Sequence, residues 1–155
     1  MSVVGITRMI MKKTISLLAV TAAGCALAGE LLVSAWSEPC NGLKMQISSP
    51  ASFPRKSGIA EFEVTCTIMN VSNSPTSVSH LARLYLVDKA GVTNACGRHE
   101  DVMDMTPARP TIATGQTTSW KQDGQLKTDA GSYRLIAVWD RDKNIKSPTI
   151  DITVK

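Results

Sequence analysis

The chain lacks the marks of an enzyme. Its 155 residues contain no Gly-x-Ser-x-Gly nucleophile elbow, no His-Glu-x-x-His helix and no glycine loop of the kind that cradles phosphate. Histidine is scarce, with only His80 and His99. Activity has to be argued from a site, and no catalytic constellation is visible, so neither catalysis nor a cofactor is expected. A helical hydrophobic period is missing too, as are internal repeats and low-complexity tracts.

Basic character is also lacking once the front of the chain is set aside. The whole sequence has 17 Lys+Arg and 13 Asp+Glu. Arg8, Lys12 and Lys13 precede Ala28 and no acidic residue does, which leaves 14 basic against 13 acidic residues beyond it. A nucleic-acid footprint needs clustered Lys and Arg on one face, so nucleic acid is not an expected partner.

What is present first is an export signal. Met11-Lys12-Lys13 precedes the uncharged apolar run Thr14 to Ala28. That is a charged n-region followed by a short h-region, and Ala26-Leu27-Ala28 supplies the small residues a signal peptidase reads. Met11 is the expected start, with residues 1–10 an upstream extension. Cleavage after Ala28 would leave Gly29 at the mature terminus. Cleavage after Ala35 is an alternative that would keep Glu30 inside the signal. A third is a lipoprotein, with Ala22-Ala23-Gly24-Cys25 as lipobox. An uncleaved anchor fits less well, because the run is shorter than the ~20 residues that span a bilayer. The expected divisions are an export signal (1–28), a short leader (29–40) and one domain (41–155) of common size.

Beyond the signal, alternation dominates. Leu43, Met45 and Ile47 alternate with Lys44, Gln46 and Ser48, and Ser49-Pro50 ends the run. Ala60, Phe62, Val64, Cys66 and Ile68 alternate with polar residues in the cleanest strand of the chain. Asn70 to Ser77 is a turn cluster. Its Asn70-Val71-Ser72 matches a glycosylation acceptor, which a bacterial-looking signal makes irrelevant. Val78 to Val87 reads as a central strand, and Asp88 to Gly91 as a turn. Residues 94–109 read as a long loop. Short strands follow at 111–113 and 117–122, and Asp123-Gly124 is a turn signal. Ser132 to Trp139 reads as a second central strand, Asp140 to Asn144 as a polar hairpin connection, and Ile150 to Val154 as the last strand. About seven short antiparallel strands with regular turns imply an all-β, two-sheet sandwich behind an N-terminal signal helix.

Asp129-Ala130-Gly131-Ser132-Tyr133 matches the Asp-x-Gly-x-Tyr pattern of immunoglobulin-like domains. The pattern implies a structural corner in which the Tyr133 hydroxyl bonds back to the preceding chain and Gly131 permits the approach. Residues 60 to 139 run strand, Asn-x-Ser turn, paired strands, Gly91 turn, Ile112-Ala113-Thr114-Gly115-Gln116 to Trp120, then Gly131-Ser132-Tyr133. This layout resembles the bacterial intracellular proteinase inhibitor domain over about two-thirds of the mature chain. The resemblance implies an immunoglobulin-like scaffold; it carries over no inhibitory residue. Leu135 stands where an antibody-type domain has its second core cysteine. Cys66 is therefore expected as a core thiol, with Cys40 and Cys96 as the pair for any bridge that forms in an oxidising compartment.

Two candidate sites remain. The loop Cys96 to Met105 gathers Cys96, His99, three carboxylates, Met103 and Met105. Soft sulfur and imidazole ligands suit copper or zinc, although an acidic solvated loop accounts for the same residues. Trp120 with Tyr85 would form a recognition patch if Trp120 were exposed, since aromatics are enriched at interfaces. The expected function is that of an exported, non-catalytic binding or assembly module of the bacterial envelope or the cell exterior, with another protein as its partner. Membrane contact would come only through the signal or a lipid on Cys25. The alternatives are a Cu/Zn-binding envelope protein using the 96–105 loop and an exported proteinase inhibitor acting through the 94–109 loop.

Overall fold

The computed structural model describes residues 29–97 and 107–155. These are all β-structure, and none forms a helix. Among them, six strands are long enough to carry a core: β2 (Leu43–Pro50), β5 (Ile59–Asn70), β7 (Ala82–Val87), β10 (Thr117–Lys127), β11 (Gly131–Trp139) and β12 (Ile150–Val154). Six short segments complete the sheets: β1 (Leu31–Val33), β3 (Ser52–Phe53), β4 (Arg55–Lys56), β6 (Thr76–Ser77), β8 (Thr93–Ala95) and β9 (Thr111–Ile112).

The strands form two five-stranded sheets and a small ribbon. One sheet runs β1-β2-β5-β10, with β4 also on β5. The other runs β3-β12-β11-β7-β8, and β6 pairs with β9. Every pairing is antiparallel except β3 with β12. Alternation decides which face turns inward. On the first sheet Met45, Ile47, Val64, Cys66 and Ile68 are fully buried; on the second Leu86, Leu135 and Ala137 are. All of them belong to one core between the sheets.

Polar ties lock the two layers. The Ala82 N–H donates to Gln122 Oε1 at 2.9 Å, which joins β7 to β10. The Trp139 indole N–H donates to the Ser79 carbonyl at 2.8 Å. That bond helps explain why the strand expected over 78–87 begins only at Ala82. The Val78 and His80 N–H groups are likewise turned to the Pro110 and Ala108 carbonyls.

Three further expectations change. The leader is part of the fold: Leu31 to Val33 pair with Pro50 to Ser48, and Ser34 Oγ accepts the Ile47 N–H at 3.0 Å. Residues 94–109 are not all loop, since Thr93–Ala95 form β8. Asp123-Gly124 is not a turn but the middle of β10. Gly124 serves close approach there. A Cβ added to it would lie 3.0 Å from Cys96 Cβ and 3.2 Å from Leu84 Cδ1. By contrast, Ser57-Gly58 is a true two-residue hairpin loop between β4 and β5, with φ of 53° and 79°.

The expected corner forms. The Tyr133 hydroxyl donates to the Asp129 carbonyl at 2.9 Å and accepts from Thr128 Oγ1 at 2.8 Å. Gly131 serves its backbone, φ 157°, rather than clearance, because an added Cβ would sit 3.8 Å from the tyrosine ring, an ordinary contact.

Asn70 is the buried hub of the opposite end. Its amide donates to the Ser74 and Ile112 carbonyls at 2.8 and 3.0 Å, and its Oδ1 accepts from the Ser72 N–H and hydroxyl at 2.9 and 2.7 Å. The side chain of the acceptor-like Asn70-Val71-Ser72 is thus used inside the fold. Asn70→Ala would strand two donors and two acceptors, and should cost about 2–4 kcal/mol. Urea unfolding of the two proteins checks this, and a change below about 0.5 kcal/mol contradicts the hub role.

Candidate functional site: a cleft where the chain changes sheets

β2 pairs with β5 only from Leu43↔Asn70 to Ser48↔Thr65. Continuing that register would set Pro50 opposite Glu63. The residues of β2 facing β5 are the even-numbered ones, because Met45 and Ile47 turn their main chain to Ser37 and Ser34 on the other side. Position 50 would therefore owe β5 an N–H, and proline has none. The chain instead leaves β5, crosses as Ala51, and joins the second sheet as β3, where Ser52 and Phe53 pair with Thr153 and Val154. It returns to β5 only as β4, at Arg55↔Ala60.

Between those two pairings, Phe62–Val64 has no neighbouring strand on the β2 side among the described residues. The main chain of Glu63 points into this gap. Gln125 exchanges both of its main-chain bonds with Gly97 on the far side of β10. The odd-numbered residues of β10 therefore face away from β5, and alternation turns Glu63 away from β10.

A cleft of about 630 Å³ occupies the gap. Phe53 and Phe62, only 4% and 2% exposed, lie buried beneath it, edge to face with ring centroids 4.9 Å apart. Leu31, 65% exposed, and Pro50 stand at one wall. Glu61, Glu63, Asp123 and Lys121 ring the mouth, and the Lys121 ammonium is paired with Glu63. This pairing raises the Lys121 pKa above its ordinary value. The arrangement offers a stretch of strand outside any ladder on that side, rimmed by carboxylates.

The residues expected to act fall elsewhere. Trp120 is buried, on the inner face of β10 opposite Cys66. Its ring stacks on His80 at 5.1 Å, and its Nε1 has no hydrogen-bond partner among the described residues. His80 Nε2 lies 2.6 Å from Thr118 Oγ1, and partial burial lowers its pKa, which keeps the ring neutral at neutral pH. Tyr85 points outward from β7, beside Arg83, Val138 and Asp140. The expected Trp120–Tyr85 patch is therefore not formed, because the two rings belong to different sheets and only Tyr85 faces out.

Nor do the cysteines pair: Cys40, Cys66 and Cys96 are free thiols. Cys40 bridges to Leu43, opposite Asn70, whereas Cys96 packs on Gly124, opposite Phe62. Eight positions of β5 separate them, about 27 Å at strand rise, where a disulfide needs Cα atoms within about 7 Å. Burial pushes the Cys66 and Cys96 thiols up to about 12. A metal ligand must be a thiolate, so Cys96, turned towards the sheet interface, is poorly placed to join a metal set. His99, Met103 and Met105 lie outside the described residues. Among the described residues no group of His, Cys, Asp and Glu could hold a metal, and no helix is long and apolar enough to cross a membrane.

The cleft itself was missed in the sequence. Its one signal was a proline inside a strand-like run beside two exposed glutamates.

No protein-family model and no curated protein matches the chain significantly. Among solved structures it is similar to a β-glucosidase from Listeria innocua at 12% identity and a TM-score of 0.42, covering 81% of this chain and 16% of that one. A β-glucosidase from Erythrobacter marinus gives 13% and 0.46, covering 81% and 15%. An alkylpurine DNA glycosylase from Pseudomonas fluorescens bound to DNA gives 7% and 0.44, covering 82% and 31%. The chain spans less than a third of the length of each of these three, and likeness at this level carries no function.

The free thiols are testable. Under native conditions at pH 8 a thiol reagent should modify Cys40 alone within the folded domain, with Cys66 and Cys96 reacting only on unfolding. A non-reduced mass two hydrogens lighter than the reduced one would show a bridge instead.

Proposed function

We propose that this chain is an exported, non-catalytic binding module of the bacterial envelope or the cell exterior, with an immunoglobulin-like sandwich that recognises a protein partner through the β5 cleft. The observation that carries the reading is Phe62–Val64, a piece of strand without a neighbour on one side, set over two buried phenylalanines. Strand edges are where sheet proteins capture extended segments of other chains. The tyrosine corner and the crossing of β2 into the second sheet as β3 support the immunoglobulin-like assignment.

The N-terminus favours the same reading. Cleavage after Ala28 leaves β1 whole and places the mature terminus two residues before Leu31, at the cleft wall. Cleavage after Ala35 would remove β1, which favours cleavage after Ala28.

The test is a photo-crosslinking amino acid placed in the native host at Thr65, on the cleft, and at Thr153, exposed on the other sheet. The mature chain should be found outside the cytoplasm, starting at Gly29. The Thr65 position should crosslink one protein that the Thr153 position does not. A full-length cytoplasmic chain, or the same crosslinks from both positions, would overturn the proposal.

A further inference from the structure

We infer that β1 is a dimerisation edge: a second copy of this chain pairs with it antiparallel about a two-fold axis and joins the two first sheets into one. The inference goes beyond the binding-module reading. It concerns the outer edge of the sheet, two strands away from β5, and stands or falls separately from the cleft.

The side chains give the first reason. Leu31 is 65% and Val33 58% exposed. The other large apolar side chains exposed among the described residues are Ile59, Val71 and Val92, each alone at a strand end or turn. Leu31 and Val33 instead stand two apart on one strand, so both point to the same face. Single exposed apolar residues are ordinary, but a pair on the last strand of a sheet is a contact surface. Solvent-facing edges are usually blunted by lysine or proline. From Leu31 to Trp36 this edge carries no charge and no proline.

The main chain gives the second. The Glu30 carbonyl accepts the Ala51 N–H at 2.8 Å, and the Ser34 N–H donates to the Ile47 carbonyl at 2.9 Å. The even-numbered residues of β1 therefore face β2, and Leu31 and Val33 turn their N–H and C=O to the outer side. No strand lies on that side among the described residues.

Register and charge select the occupant. In an antiparallel pair centred on Leu32, Leu31 of each copy meets Val33 of the other, and each such pair exchanges two main-chain bonds. The same residues make Leu–Val cross-strand contacts on one face. On the other face the two Leu32 side chains, each already packed on its own core, meet across the axis. The edge is thus complementary to itself, as a two-fold interface requires. Glu30 is the one charged residue of the segment 29–36. Antiparallel pairing sets it beside Ser34 of the second copy and keeps the two carboxylates at opposite ends, whereas parallel pairing would place them side by side.

The ladder is short. Ser34 bonds to Ile47 and Ser37 to Met45, three residues against two, so the chain bulges just after Ser34 and the flat edge ends there. A contact of three residues a side falls well short of the roughly 800 Å² per partner of a standard interface, and the dimer is correspondingly weak and concentration-dependent.

The experiment follows the chain from Gly29 onward by sedimentation from about 10 μM to about 1 mM, the range in which so small an interface titrates. The average mass should rise from one copy towards two and stop there. Over the same range amide hydrogen exchange should slow at Leu31 and Val33, and stay unchanged at Leu32, whose main chain already faces β2. Val33→Lys should weaken association at least about tenfold, since it puts a charge into the apolar pair. Its melting temperature at low concentration should match that of the parent, because the side chain it replaces is exposed. A chain that stays single at the highest concentration would overturn the inference. So would a mass that climbs past two copies, or a dimer that V33K leaves intact. If the variant does not fold, exchange in the parent decides: no slowing at Leu31 and Val33 across the range overturns the pairing.

Discussion

One missing hydrogen-bond donor shapes the first sheet of this molecule. Pro50 stands where β2 would next bond to β5, and it has no N–H to give. The pairing stops at Ser48↔Thr65, and the chain spends its next residues on the other sheet. That crossing does two things at once. It ties the sheets together covalently and through the β3–β12 pairing, and it breaks the β2–β5 ladder above the buried Phe53 and Phe62.

The remainder of the fold braces that break. Gly124 lets β10 approach Leu84 and Cys96 without a Cβ in the way, which keeps the layers tight directly beside the cleft. Gln122 ties β10 to Ala82, and the Ser57-Gly58 hairpin returns the chain to β5 at the cleft's lower end. At the far end Asn70 gathers Ser72, Ser74 and Ile112 into one buried polar knot. A buried polar group of this kind stabilises only when fully bonded, and Asn70 is.

Much of the β-structure could be read in the sequence because period-2 alternation is a local signal. The strands at 43–48, 60–68, 132–139 and 150–154 all emerge at or near the expected places, and the Asp129–Tyr133 corner makes the bond its pattern implies. The errors came where a local signal met a tertiary demand. Asp123-Gly124 has turn chemistry, yet the glycine answers crowding from the opposite sheet. Val78 to Leu81 alternates like a strand, yet its main chain bonds to Ala108, Pro110 and the Trp139 indole. Trp120 is on the buried face because its register opposite Cys66 puts it there, and register is not visible in one strand's own sequence. The Cys40–Cys96 pairing failed for the same reason, because distance along β5 is a property of pairing. Pro50 was read correctly as the end of a strand, but the opening that it leaves on the neighbouring strand is a relation between two segments.

The most direct test of this picture is native-state hydrogen exchange at the Glu63 amide. If Pro50 opens β5 there, Glu63 should exchange far faster than the flanking amides of Val64 and Thr65, which are bonded to β10 and β2. Protection at Glu63 equal to that at Thr65 in the free protein would mean the edge is already covered, and the cleft would not be a recognition site.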